Sequence, residues 1–244
     1  MITQKYIATI KDLIDRIFLQ QEETLNQAAA LIAGSLENGG VLHFFGSGHS
    51  HMLGEEIFYR AGGLVPVNSI FEPALMLHEG ACKSTKLERL YGYAAVILDH
   101  QELQAGEVII IASNSGINVV PVEMAMEAKK RGLKVLALTS LASSAELESR
   151  HSSGTKLYQE ADLILDNGVK TGDAQFEVDG MVQKTGPVST ISGIVLLNLL
   201  MLKVIENLAG DGDTPPVFMS ANIPGGSGHN KKIIEKYRGR LKSL

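Results

Sequence analysis

The chain begins with apolar residues spaced three and four positions apart over residues 7–36. This spacing places Leu13, Ile17 and Ile32 on one face and predicts an amphipathic helix, either continuous or broken midway. The pair Gly39-Gly40 ends the helical pattern. A helix of this length is expected to offer an apolar face to a partner subunit.

Five short apolar runs follow, and none of them alternates between apolar and polar positions. Such runs are typical of strands that are buried on both faces of a parallel sheet, and helical patterns lie between them. The predicted elements are strands at 41–45, 64–67, 108–112, 135–139 and 163–166, with helices at 50–61, 87–98 and 119–131. The series predicts a doubly wound α/β sandwich in the flavodoxin-like strand order 2-1-3-4-5, with helices on both faces.

The last part of the chain is predicted to contain one more long helix and a surface tail. The helix is expected to begin within residues 186–190, where Pro, Ser and Thr suit a first turn. Its most apolar stretch, residues 191–202, is shorter than the roughly 20 residues of a membrane span, so a buried helix is expected. Residues 215–228 are rich in Pro and Gly, which predicts an ordered loop before a short basic helix.

Composition narrows the class of protein. The 244 residues are 45% hydrophobic and 20% charged, as in ordinary globular proteins, and the single cysteine, Cys82, excludes a disulfide framework. A net charge of −5 lacks the basic footprint of nucleic-acid binding, so neither nucleic acid nor a membrane is an expected partner. The N-terminus shows no signal-peptide pattern, which makes the cytoplasm the expected location. A single domain is expected, with a helical extension at 1–37, an α/β core at 38–208 and a C-terminal extension at 209–244.

The first candidate binding residues follow the end of the first predicted strand. There the chain reads Gly46-Ser47-Gly48-His49-Ser50 and runs directly into a helix. Small residues at such a turn bring backbone N–H groups and a hydroxyl to a helix N-terminus, which forms a cradle for an anion. A P-loop is excluded because no Gly-Lys-Ser/Thr follows, and a dinucleotide fingerprint is weak because His51 replaces its third glycine.

The third predicted strand ends in a second loop of this type, Ser113-Asn114-Ser115-Gly116-Ile117-Asn118, which is again followed by a helix. In the order 2-1-3-4-5, strands one and three are neighbours at the point where open α/β sheets bind ligands. Ser50, Ser113, Ser115 and Asn118 are therefore expected to converge on one phosphate and to supply neutral hydrogen-bond donors. The alternative is that the serines only cap the helices.

At these two loops the sequence resembles the sugar isomerase (SIS) domain family, which carries G-x-G-x-S after one strand and S-x-S-G-x-T after another. The likeness runs from about residue 41 to residue 208 and includes the pair Ser189-Thr190 in the last helix. It is strongest to phosphoheptose isomerase-like SIS proteins. The resemblance implies recognition of a phosphorylated sugar or sugar derivative, in a homodimer or homotetramer whose sites lie near the subunit interfaces.

The chain departs from this family at residues that carry chemistry. Asn118 stands where the family has Thr, a change that keeps a hydrogen-bond donor. Phosphoheptose isomerase and N-acetylmuramic acid 6-phosphate etherase both have a functional Glu ten residues after the first-loop serine, where this chain has Arg60. The metal-binding His of the former, six residues after that serine, corresponds to Glu56. Neither activity is carried over intact, and no metal site is predicted.

Isomerisation requires a carboxylate or an imidazole that moves a proton between adjacent carbons. Glu55 and Glu56 lie within two helical turns of Ser50 and are the first candidates for the base, although either also suits a solvated helix charge. His49 lies inside the first loop and suits a contact to phosphate or to a sugar hydroxyl. His229 follows a Gly-rich tail segment and is a candidate for completing a site across an interface. 

The leading expectation is an aldose–ketose isomerase that moves a proton between C1 and C2 of an open-chain sugar phosphate and needs no dissociable cofactor. Two alternatives stay open. The absence of the family Glu favours a non-catalytic phosphosugar sensor that binds a partner protein, and a lyase or etherase acting on an amino-sugar phosphate is the third option. Further candidate residues after the fourth and fifth strands are His151, Asp173 and Glu177.

Overall fold

The computed structural model describes residues 1–210 and 214–244. Its strands are β1 (Leu42–Gly46), β2 (Val67–Ile70), β3 (Val108–Ala112), β4 (Lys134–Thr139), β5 (Leu163–Asp166), β6 (Ala174–Phe176) and β7 (Thr185–Pro187). The first five form a parallel sheet in the order β2-β1-β3-β4-β5, which confirms the predicted topology. β6 and β7 pair as an antiparallel hairpin.

Helices cover both faces of the sheet, as predicted. The helices are α1 (Ile2–Glu37), α2 (His51–Ile57), α3 (Ala81–Leu87), α4 (Tyr93–Leu98), α5 (Val119–Lys130), α6 (Leu141–Glu146), α7 (Leu157–Glu160), α8 (Ser189–Gly210) and α9 (Gly226–Tyr237), with 3-10 turns at Gly48–Ser50, Pro73–Leu75 and Leu77–Glu79. Phe44 and Ile110 pack into the core beneath α1, α2 and α8. Phe45 and Ile111 point to the opposite face and pack beneath α4, α5 and α7, because successive side chains of a strand alternate.

The two longest helices pack on each other. α1 is one unbroken helix of 36 residues, and its buried positions, among them Leu13 and Ile32, share a core with α8. α8 has 22 residues, and an 18-residue stretch of it has a mean hydropathy of 1.7, so by length and composition alone it could cross a membrane. Leu196, Leu200 and Val204 are nevertheless buried in the same core as α1, so one face of the helix is buried, as expected, whereas Leu202 is exposed.

Two predicted elements were wrong in their bounds. The second strand begins at Val67 and not at residue 64, because Leu64 forms an antiparallel bridge to Val217 in the C-terminal tail. Of the helix predicted at 87–98, only α4 from Tyr93 to Leu98 is formed, whereas α3 ends at Leu87. Gly92 lies between them with a φ of 78°, a conformation that an α-helix does not contain.

Two further differences lie in connecting segments. α2 ends at Ile57, four residues before the predicted end, and Tyr59 adopts a φ of 46° just beyond it. The Tyr59 ring packs on Phe218 with the ring centroids 5.1 Å apart, so this turn is joined to the tail. The segment after β5, which was expected to be irregular, contains the β6–β7 hairpin.

The C-terminal extension packs at the amino edge of the sheet. Phe218, Tyr237 and Leu241 form a small core with Val41 and Val65, the residues that precede β1 and β2. This edge is opposite to the one at which the two predicted phosphate loops lie. The predicted extension 209–244 includes residues 211–213, which lie outside the described residues.

A buried polar cluster at the same edge holds the extension in place. The Glu107 carboxylate accepts hydrogen bonds from His43 Nε2 and from the Val41 backbone N–H, both at 2.9 Å, and it pairs with Arg240. Burial opposes ionisation of Glu107, but the hydrogen bonds from His43, Gln104 and Val41 outweigh this effect and lower its pKa to about 2. The last turn of the chain is thereby tied to the start of β3.

Candidate functional site

The two predicted loops leave neighbouring strands at the carboxyl edge of the sheet. Gly46, the last residue of β1, pairs with Ala112, the last residue of β3. The loops that follow, residues 47–50 and 113–118, are therefore held side by side. This is the juxtaposition that the strand order required.

The first loop turns sharply into α2. A Cβ atom at position 46 would lie 2.5 Å from the Ser50 carbonyl oxygen, so only glycine fits there. The Ser50 backbone N–H donates to the Ser47 carbonyl at 2.9 Å, which closes the 3-10 turn. His51 is buried beneath the loop, and its Nδ1 contacts the Gly48 carbonyl.

The second loop is built around Gly116, which has a φ of 63°. A Cβ atom there would lie 2.9 Å from Ser144 Oγ, so both the conformation and the space require glycine. The Gly116 N–H donates to Ser113 Oγ at 3.3 Å, and the Ser144 hydroxyl donates to the Ser115 carbonyl at 2.6 Å. Asn118 occupies the N-cap position of α5, but its side chain makes no capping hydrogen bond.

Backbone donors of both loops remain open. Within the described residues, no hydrogen bond occupies the backbone N–H of His49 or of Ser115. Each of them lies at or near the start of a helix, where an anion is stabilised by unpaired N–H groups and by the helix dipole. The loops therefore have the donor pattern of an anion site.

A small cavity lies between the loops and the start of α8. Its lining residues are His49, Ser50, Leu53, Ser113, Asn114, Leu138, Asn167, Ser189 and Thr190. Asp173 accepts hydrogen bonds from the backbone N–H groups of Val188 and Ser189, at 2.9 and 2.7 Å, and from Ser189 Oγ at 2.7 Å. Asp173 therefore caps α8, and the cavity gains hydroxyl groups from Ser189 and Thr190.

A carboxylate that the sequence did not single out joins the two loops. Glu88 follows α3, and its Oε1 accepts a hydrogen bond from Ser47 Oγ of the first loop at 2.6 Å. Its Oε2 accepts a hydrogen bond from Asn118 Nδ2 of the second loop at 2.7 Å. The Glu88 carbonyl also accepts from the Val120 N–H at 3.0 Å, which fixes its backbone to the first turn of α5.

The glutamates predicted as bases are engaged elsewhere. Glu55 lies 3.3 Å from His51 Nε2 and has a mostly exposed side chain. Glu56 pairs with Arg60 and accepts a hydrogen bond from Asn198 Nδ2 of α8 at 3.1 Å. Within the described residues, neither carboxylate is hydrogen-bonded to residues 47–50 or 113–118.

His229 and Glu177 lie away from the loops within the chain. His229 Nε2 lies 3.0 Å from the Val217 carbonyl, in the tail segment that pairs near the start of β2. Glu177 is exposed in the β6–β7 connection and lies 3.5 Å from Lys184. The role of His229 in a site that is completed by a second subunit stays a prediction.

The residues present do not fit the metal of phosphoheptose isomerases. The position of the metal-binding His is held by Glu56, whose carboxylate is already paired with Arg60. Among residues 1–210 and 214–244, no group of three or more His, Cys, Asp or Glu side chains is placed to hold a metal ion. We therefore derive no step through a metal.

The fold and the paired loops define a class of protein, and the sequence identifies its family. The sequence pattern of the SIS domain matches residues 5–140, and the chain belongs to the SIS domain family. Within this family it is similar to a UPF0309 protein of Halalkalibacterium halodurans. The two are 43% identical over 244 residues, which cover 100% of this chain and 97% of the relative.

Solved structures share the fold. A phosphoheptose isomerase from Francisella tularensis superposes with a TM-score of 0.55 at 15% identity, over 84% of this chain and 96% of its own. The Vibrio vulnificus NanR protein, solved in complex with ManNAc-6P, superposes with a TM-score of 0.53 at 14% identity, over 99% of this chain and 70% of its own. At these identities the likeness confirms the α/β SIS fold.

Proposed function

We propose that the protein binds an open-chain sugar phosphate at the carboxyl edge of β1 and β3 and interconverts its aldose and ketose forms. Membership of the SIS family and the open donors of both loops support phosphate binding there. The observation that carries the reaction is the Glu88 carboxylate, which is hydrogen-bonded to Ser47 and to Asn118, one residue from each loop. Isomerisation needs an ionisable group that transfers a proton, and Glu88 provides one where the two loops meet.

A carboxylate in this position suits the base of an isomerase. Glu88 takes the proton from C2 of the aldose, which leaves an enediol intermediate, and returns it to C1, while a proton moves from O2 to O1. His49, exposed on the first loop, supplies an imidazole for the transfer between the oxygens. Ser47 and Asn118 hold the carboxylate in place before the sugar binds.

A second candidate is a phosphosugar sensor without turnover. It is favoured by the ion pair between Arg60 and Glu56, because these positions correspond to the functional Glu and the metal-binding His of related enzymes. The fold shared with NanR in complex with ManNAc-6P is consistent with this alternative. In a sensor, the loops would bind phosphate in the same way and no carbon-bound proton would exchange.

The experiment that separates the two is isotope exchange in deuterium oxide. The protein is incubated with hexose, heptose, pentose and amino-sugar phosphates, and carbon-bound deuterium at C1 and C2 is followed by NMR. An isomerase incorporates deuterium into one member of the panel and forms its isomer. Binding of a sugar phosphate without incorporation would reject the isomerase and favour the sensor.

A further inference from the structure

A third loop brings a positive charge to the two phosphate loops. Arg150 lies in the connection between α6 and α7, which follows β4 at the carboxyl edge of the sheet. Its backbone N–H donates to the Ile117 carbonyl of the second loop at 2.9 Å. Its guanidinium Nη1 donates to Asn118 Oδ1 at 2.5 Å.

The hydrogen-bond partner of the Arg150 guanidinium differs from those of most other arginines in the chain. Arg60, Arg131 and Arg240 each form an ion pair with a carboxylate. Arg150 bonds instead to a neutral amide oxygen, and within the described residues it forms no ion pair. Its charge is therefore available to an anion that arrives from solvent.

The backbone that carries Arg150 is held on its other side. The Tyr91 hydroxyl accepts a hydrogen bond from the Ser152 N–H at 2.8 Å and donates to the Arg150 carbonyl at 3.4 Å. The Tyr91 and His151 rings lie 5.4 Å apart, and His151 lies 3.9 Å from Glu123 of α5. The segment is anchored to α5 and to the turn before α4, whereas the Arg150 residue itself is exposed.

Another cation near the second loop has a structural task. Lys156 Nζ donates to the carbonyls of Ser144 and Ala145 at the end of α6, at 2.5 and 3.2 Å. It thus satisfies acceptors at a helix C-terminus. Within the described residues, the Arg150 guanidinium bonds to Asn118 Oδ1 and to no helix C-terminus, and its fork of N–H donors matches the oxygens of a phosphate.

Asn118 connects this arginine to the rest of the site. Its Nδ2 donates to Glu88 while its Oδ1 accepts from Arg150. A threonine, which the family has at this position, has a single hydroxyl and is too short to make both contacts as an amide does. The substitution of Thr by Asn is explained by this double contact.

We propose that Arg150 is a specificity-determining residue: its guanidinium contacts the phosphate of the ligand from a third loop, and Asn118 positions it. The proposal rests on phosphosugar binding as the proposed function. Neutral donors and helix N-termini alone accept many oxyanions. A guanidinium adds a preference for the dianionic phosphate over an uncharged sugar or a monoanion.

The test is calorimetric titration of the intact protein with fructose 6-phosphate, inorganic phosphate and fructose at two ionic strengths. Arg150→Met is expected to weaken fructose 6-phosphate and phosphate binding ten- to a hundredfold and to reduce the dependence on salt. Arg150→Lys keeps the charge without the fork and is expected to restore only part of the affinity. Arg89→Met is the matched control, because Arg89 is exposed and, within the described residues, also forms no ion pair, but its side chain bonds to neither phosphate loop.

The contact with Asn118 is tested by a double-mutant cycle. Asn118→Thr is expected to weaken phosphate binding. Its effect should be smaller in the Arg150→Met background, because both changes remove the same contact between Arg150 and Asn118. Additive effects would overturn the positioning role of Asn118. The role of Arg150 would be overturned if Arg150→Met and Arg89→Met weaken fructose 6-phosphate binding to within twofold of each other. It would also be overturned if Arg150→Met weakens fructose binding as much as fructose 6-phosphate binding. If the unaltered protein binds neither phosphate probe, the proposed function itself fails.

Discussion

Glu56, in the last turn of α2, forms an ion pair with Arg60, which lies three residues beyond the end of the helix. The same Glu56 carboxylate accepts a hydrogen bond from Asn198 of α8. These are the positions at which the enzymes that the sequence resembles have a functional Glu and a metal-binding His. The Glu56 carboxylate is thus held by Arg60 and by α8, and within the described residues no hydrogen bond joins it to either phosphate loop. The base is therefore expected to be another carboxylate.

Replacement of Glu88 by Gln should separate binding from turnover. The amide keeps the shape of the carboxylate but has no basicity, so isomerisation should fall by about 10²–10⁴-fold. The affinity for the sugar phosphate should change much less, because a proton-transfer group affects kcat far more than KM. Deuterium incorporation and calorimetry on the same preparations provide the two measurements.

Three matched variants complete this test. Glu55→Gln and Glu56→Gln should each retain isomerisation within about tenfold, since neither side chain contacts the second loop. Glu102→Gln removes an exposed carboxylate away from the loops and controls for the change in net charge. Full activity in Glu88→Gln, together with a loss in Glu55→Gln or Glu56→Gln, would return the base to α2.

Ser115→Ala should weaken binding of a sugar phosphate by about 1–3 kcal/mol, because a charge-assisted hydrogen bond to the phosphate is lost. Affinity for the corresponding unphosphorylated sugar should barely change. Titration calorimetry with both ligands checks this prediction. An equal loss for the two ligands would place Ser115 outside the phosphate site.

Much of the fold was predictable because the spacing of apolar residues along the sequence depends directly on which positions are buried. The continuous apolar runs at β1, β3, β4 and β5 gave strands within one residue of those observed. The start of β2 was missed because Leu64 is buried by the tail from a distant part of the sequence. Local patterns contain no information about such a pairing.

The two loops of the site were equally predictable, because glycine and serine at strand ends have a local cause. Glu88 was not, since it lies in no motif and becomes part of the site only when α3 brings it to Ser47. The segment after β4 that contains Arg150 and His151 was expected at this edge of the sheet, but the bond between Arg150 and Asn118 was not predicted. Side chains that reach a site from separate loops leave no spacing signal in a single sequence.

Stability in acid should depend on Glu107. Its pKa is lowered from 4.5 to about 2, so the ionised carboxylate stabilises the folded state above pH 4.5. This contribution, at most about 3 kcal/mol, is lost as the pH falls from about 4.5 towards 2. Denaturant unfolding at pH 7, 4.5 and 3 should show a steep loss in the unaltered protein.

Glu107→Gln should be less stable at pH 7 and should show a flatter dependence on pH. The amide cannot pair with Arg240 or accept the same set of hydrogen bonds. Glu102→Gln, at an exposed position, is the control and should follow the unaltered protein. Identical pH profiles for Glu107→Gln and the unaltered protein would show that the cluster contributes nothing to acid stability.

The protein is expected to form a homodimer or homotetramer through its long helices. Leu19 of α1 and Leu202 of α8 are large apolar residues with 75% and 64% of their surface exposed in the single chain. Burial of such side chains in an interface is favourable. Light scattering should give a mass above that of one chain, and Leu202→Glu should reduce it at micromolar concentration. A monomer for the unaltered protein would contradict this expectation.

The packing of α1 on α8 has a consequence for how the chain is made. α1 is synthesised before α8, its main helical partner, which begins only at Ser189. At synthesis rates of about 5–20 residues per second, roughly 10–40 s pass between the synthesis of α1 and that of α8. Until α8 is made, α1 can pack only on the sheet and on α2, and the part of its apolar face that α8 covers stays exposed. Exposed apolar surface of this kind is what chaperones bind on nascent chains.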